Sequence, residues 1–177
     1  MGSILDRPSG MAMMLSGAVF IATGAPYVTN PPAWSLPFSV ERVMLLAGYA
    51  LLAVGLLGLH RLQVGRDGML GRIGAWLEVV GLMAALVAVT ASLAGLDLEW
   101  LHGSGIVLAV VGMLLAGIAT IRAGVLPGWS GGALVAAALL TFFPVEYSIV
   151  LLGLAVLPLG HALWKRAGQS RPVASSV

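Results

Sequence analysis

The sequence contains no cysteine. That one absence excludes disulfides, thiolate metal sites, iron–sulfur ligation and thiol nucleophiles. Charge is nearly as scarce. Nine Lys and Arg and seven Asp and Glu make up 9% of the 177 residues, where a soluble domain carries roughly 25%. So few charges cannot coat a water-facing surface. Catalytic signatures are missing too: there is no GxxxxGK, no GxGxxG after a strand and no HExxH. Ser, His and Asp fall mostly in connecting segments, and no Ser–His–Asp or Ser–Lys arrangement can be assembled from them. The chain is therefore read as non-enzymatic.

What the sequence does have is apolar length. Hydrophobic residues are 59% of the chain and the mean hydropathy is +1.02. That is too much apolar surface for one small core, and lipid removes the conflict by accepting apolar side chains outward. A helical span takes about 20 mostly apolar residues. The expected fold is an all-α integral membrane protein, a single domain over residues 1–166. It is a bundle of six transmembrane helices at residues 11–28, 42–60, 73–95, 103–121, 126–143 and 148–164, with a polar tail at 167–177. Arg7 ahead of an apolar run looks like the start of a signal peptide. Pro26 directly after Ala25 makes a poor cleavage site, so the run is read as a retained span. Residues 131–164 are long for one span and short for two. The turn Pro144-Val145-Glu146 divides them, with a re-entrant pair as the alternative.

Basic residues give the orientation. With six spans one face receives Arg7, Arg61, Arg66, Arg72, Arg122, Lys165, Arg166 and Arg171, and the other only Arg42. Eight against one over short loops places both termini in the cytoplasm. The net charge of +2 then reflects orientation in a bilayer, and nucleic acid is not an expected partner. The tryptophans agree, Trp34 and Trp100 at outer edges and Trp76, Trp129 and Trp164 at inner ones, as amphipathic rings at headgroup level should be. Small residues four apart, such as Gly81 with Ala85 and Gly112 with Ala116, offer shallow faces for helix packing.

Few polar residues fall inside the spans. Glu78 stands about six residues into the third, roughly 9 Å below its start, with Trp76, Leu77, Val79 and Val80 around it. A carboxylate at that depth must face the bundle, be protonated or find a partner. It is the candidate intramembrane site, either as a proton-carrying or cation-binding group or as a structural hydrogen-bonding residue. His161 near the end of span six and His60 at the end of span two share its face, so a Glu78–His161 proton relay is conceivable if those helices adjoin. Two histidines could also ligate a haem. Nothing marks a space for one, and no cofactor or metal is expected. His102 near Asp97 and Glu99 reads as part of a solvated loop.

Two stretches carry a resemblance. Gly58-Leu59-His60-Arg61 through Gly65-Arg66-Asp67-Gly68-Met69-Leu70-Gly71-Arg72-Ile73-Gly74 is one. Arg122-Ala123-Gly124-Val125-Leu126-Pro127-Gly128-Trp129 is the other. They resemble the inner loops of small uncharacterised multi-pass inner-membrane proteins of GC-rich bacteria. The resemblance implies a bacterial cytoplasmic membrane and a helical bundle, and brings no catalytic motif. The functional expectation is an accessory or structural subunit of a membrane complex, with the bilayer and other membrane subunits as partners. The alternative is a small secondary transporter or proton-coupled carrier built on Glu78.

Overall fold

A computed structural model describes residues 6–29, 36–142 and 145–169, the side chains of Asp6, Val145, Glu146 and Gln169 excepted. The proline-rich break at 30–35 with Trp34, the turn at 143–144 with the Glu146 side chain, and the tail beyond Gln169 lie outside the described residues. Among those described there are six α-helices and no strand: α1 Asp6–Thr29, α2 Phe38–Gln63, α3 Gly68–Leu93, α4 Glu99–Ala123, α5 Gly128–Leu140 and α6 Val145–Gln169.

Five of the six are long and apolar enough to cross a membrane. Four of these five extend past the expected spans at both ends, because hydropathy sees only the apolar middle while the helix runs on into polar residues. α2, α3 and α4 stop at chain breakers. Gly65, Gly95 and Gly124 take φ of +86°, +78° and +61°, a region that side chains disfavour. Gly95 is the reason α3 ends at Leu93 and not at the expected 95. The first residues of the expected polar tail continue α6 to Gln169.

α5 departs most from expectation. It has 13 residues, about 20 Å of helix, where a bilayer core needs about 30 Å. The expected span at 126–143 is shortened at both ends. Pro127 sets the start, because it offers no backbone N–H to a preceding turn. The chain leaves the helix at Thr141 and Phe142.

Each helix packs on its neighbours in sequence and α6 returns to pack on α1, so the six form a closed ring. Consecutive helices run in opposite directions. Ser9 of α1 meets Gly58 of α2 and Arg7 meets Gly168 of α6, while Gln63 of α2 hydrogen-bonds Thr120 of α4. One end of the ring therefore gathers Arg7, Arg61, Arg66, Arg72, Arg122, Lys165 and Arg166. The opposite end carries Glu41, Arg42, Asp97 and Glu99. We call these the basic and acidic ends. The outside of the ring is apolar: Val54, Trp76, Val87, Val107 and Leu154 are all exposed.

Glycines seven residues apart hold the ring together. Gly10 and Gly17 of α1 face Gly160 and Gly153 of α6, and Gly24 faces Val150; Gly74 and Gly81 of α3 face Gly105 and Gly112 of α4. A Cβ on Gly17 would stand 2.8 Å from the Gly153 carbonyl oxygen, and one on Gly153 would stand 2.6 Å from that of Gly17. Backbones this close leave no room for any side chain. Between α1 and α2 the same period interlocks Met13 and Phe20 with Gly55 and Gly48. A step of seven residues, two turns of helix, returns to the same helix face, which is the geometry of near-antiparallel coiled packing.

Candidate functional site: a cavity closed at one end

The ring is not filled along its whole length. Toward the basic end its centre is solid, packed by Leu56, Leu59, Leu134, Leu159 and Leu163, all buried. The Gln63 amide, 2.8 Å from the Thr120 hydroxyl, lies at that end. Toward the acidic end the centre opens into a cavity of about 840 Å³, within the range of about 300–1,000 Å³ that small-molecule sites occupy.

The short α5 accounts for the opening. Ala138, close to its end, packs on Val110 and Met113 of α4. α4 itself begins at Glu99, so it continues beyond α5 by about nine residues, some 14 Å. Over that length no described helix lies between α4 and α6. His102, Gly103 and Ile106 of α4 line the cavity there, with Ser148, Ile149 and Leu152 of α6 and Thr141 just past α5.

The lining is graded. Leu52, Leu82, Val110 and Met113 form the apolar interior, while Glu41, Arg42, Asp97, Glu99 and His102 surround the mouth. Within this mixed rim the polar groups differ in how they are satisfied. Glu41 accepts a 2.8 Å hydrogen bond from the Tyr27 hydroxyl of α1, and Asp97 Oδ1 accepts the Glu99 amide at 3.1 Å. Arg42 and His102 are half-buried, and Arg42 Nε and His102 Nε2 are buried without a hydrogen-bond partner among the described residues. The Arg42 guanidinium lies over the Phe38 ring, 4.9 Å from its centroid, and the imidazole of His102 lies 6.2 Å from the Tyr49 ring.

Neither family models, nor curated proteins, nor solved structures give a match to this chain. Its site therefore rests on geometry alone.

Glu78 sits ten residues after the start of α3, further from the helix end than the expected six. It is on the face packed against α4 and only 3% exposed. Room for it comes from Gly112, where a Cβ would stand 2.7 Å from Glu78 Cγ. Its Oε1 is buried without a hydrogen-bond partner, and no cation lies within salt-bridge distance among the described residues. Leaving a carboxylate charged in such a place is costly. Glu78 does not line the cavity, but Leu82, one turn further along α3, does.

The expected Glu78–His161 relay is not formed. α3 and α6 lie across the ring from each other, and His161 is exposed on the outside, 6.0 Å from the Trp164 ring. His60 has a different partner from the one considered: its Nδ1 lies 3.1 Å from Asp67 Oδ2, the residue that precedes α3. α1 separates α2 from α6, so the two histidines do not share a gap that a haem could fill. His102 belongs to the cavity wall, not to a solvated loop. Among the described residues no three His, Asp or Glu side chains converge as metal ligands.

Proposed function

We propose that this chain is a multi-pass protein of a bacterial cytoplasmic membrane that takes a small amphipathic molecule into a cavity open to the outer side. The basic end faces the cytoplasm with both termini, as the excess of Arg and Lys there favours. The acidic end with its cavity faces out. The bacterial setting rests on the resemblance of the two loops at the basic end. No enzymatic step is assigned.

The observation that carries this reading is the 840 Å³ space inside a ring that is packed solid at its other end. A purely structural subunit gains nothing from such a void, since unfilled volume forfeits packing contacts. A binding protein or carrier needs one. This favours the carrier reading over the accessory subunit, and Glu78, a turn below Leu82, is the group through which uptake would couple to protons or cations.

Native mass spectrometry of the purified chain released from mild detergent tests the proposal. The wild-type protein is expected to carry an amphiphile of a few hundred daltons. Leu82→Trp, which fills the interior, is expected to lose it. A ligand-free protein that instead leaves the membrane in fixed stoichiometry with another membrane protein would return the accessory-subunit reading to first place.

A further inference from the structure

Among the described residues Arg42 is the one Arg or Lys at the acidic end. It lines the cavity half-buried, with no carboxylate within 4.0 Å among the described residues and with Nε lacking an acceptor. A guanidinium is always charged and offers five donors in a planar fork. Across the mouth stands His102, whose Nε2 also lacks a partner, and on the same helix as Arg42 the Tyr49 ring completes the wall. Unsatisfied polar nitrogens thus collect at one level of the cavity, and Leu52, Leu82 and Met113 supply only hydrocarbon below them.

We propose that the cavity's occupant is a single-tailed amphiphile with a carboxylate head. The head is held by Arg42 with His102 beside it, and the tail lies toward Leu82 and Met113. This rests on the cavity being a ligand site, as argued above, and adds the chemistry of the ligand. Among the described side chains three acids stand near the mouth, and each is otherwise engaged or screened. Glu41 is held by Tyr27 of α1, Asp97 is turned onto the Glu99 amide, and Glu99 is exposed. Exposed charges are screened by salt over roughly 10 Å, whereas a half-buried guanidinium acts at contact. A cationic amphiphile would have to place its charge beside Arg42.

The experiment uses the full chain in lipid nanodiscs and three photoreactive C16 probes with a mid-chain diazirine: the fatty acid, its methyl ester and the corresponding primary amine. Labelled residues are mapped by mass spectrometry, which separates the cavity wall from the lipid-facing surface. The acid is expected to label the segments around Leu52, Leu82 and Met113, and unlabelled hexadecanoic acid is expected to suppress that labelling. Arg42→Gln should raise the competitor needed by about ten-fold or more, the loss of one charge-assisted pair, while Arg42→Lys should lose much less. Equal or stronger cavity labelling by the ester or the amine would overturn the carboxylate assignment and leave the cavity reading standing. Labelling confined to lipid-facing residues with all three probes would overturn the cavity reading itself. Because the acid, ester and amine are compared on the unaltered chain, the test decides even if Arg42→Gln does not fold.

Discussion

Gly81→Ala in α3 and Gly105→Ala in α4 probe the contact that closes half of the ring. A methyl on Gly81 would stand 2.5 Å from the Gly105 carbonyl oxygen, with the Ala109 amide nitrogen also in contact. A methyl on Gly105 would stand 2.7 Å from the Gly81 oxygen and 2.9 Å from the Ala85 nitrogen. The obstacles are backbone atoms, which cannot rotate away. Restoring ordinary separation requires α3 and α4 to part by about 1 Å, enough to forfeit a quarter to a half of each contact across the interface. Overpacking of this kind costs about 1–3 kcal/mol. Alanine returns up to about 1 kcal/mol in helix propensity. Each variant should therefore lose up to about 2 kcal/mol of stability net, about 1 kcal/mol at mid-range. The two methyls ask for the same displacement, so the double variant should cost little more than the worse single one, a coupling expected of residues in contact. Gly103→Ala, also in α4 but with nothing within 4 Å of its Cβ position, should be neutral or slightly stabilising. Thermal unfolding of the purified proteins in one detergent gives the comparison. If Gly81→Ala melts with Gly103→Ala, or if the double variant shows the full sum of the single losses, the close backbone approach of α3 and α4 is wrong.

Thr120→Val removes the acceptor of Gln63 Nε2 inside the basic end, and a stranded buried donor costs about 1–3 kcal/mol. Thr90→Val, which deletes an exposed hydroxyl bonded only to Leu86 of its own helix, should change the melting temperature little. Glu78→Gln keeps the shape of the uncharged acid and should leave the yield of folded protein unchanged, while any proton-coupled uptake is lost. A collapse in yield would mean that an ionised Glu78 holds the helices through a bound cation. The absence of cysteine makes accessibility clean to read. Val64→Cys, at an exposed position next to Gly65, should react with an impermeant maleimide only from the cytoplasmic side, and Asp97→Cys only from outside. Thr141→Cys should react from outside with a small water-soluble thiosulfonate, because it lines the open cavity. Labelling of position 64 from outside would invert the topology.

The helices are legible in the sequence because a run of apolar residues between Gly or Pro breakers has one solution in lipid, where every backbone group must be satisfied within the segment. Their packing is legible only in part. Small residues four apart mark some of it, since Gly81 with Ala85 and Gly112 with Ala116 fall at the α3–α4 contact. The stronger signal is the seven-residue spacing of glycine itself, at 10, 17 and 24, at 48 and 55, at 74 and 81, at 105 and 112, and at 153 and 160. In a chain with 24 glycines each pair alone looks like composition. Only the recurrence of one period in five helices separates it from chance, and that recurrence tells a helix–helix interface from a lipid-facing side by residue spacing alone.

The site is hidden for a different reason. Intramembrane charge singles out Glu78, and burial agrees with it, but charge alone does not say that α3 and α6 lie across the ring. Arg42 enters a count of basic residues only as its exception. That exception is itself a signal, since an arginine on the face that otherwise carries acids has no topological role. The empty space leaves no mark on the sequence. It arises because α5 is about a third shorter than a bilayer core, and hydropathy averaged over 126–143 fills that gap with an imagined last turn. Extending α5 by one apolar turn would carry a helix into the room between Ile106 and Ile149 and should abolish ligand binding while raising stability, because the added side chains would replace void by contact. A longer α5 that leaves binding intact would show that the cavity does not depend on the helix stopping short.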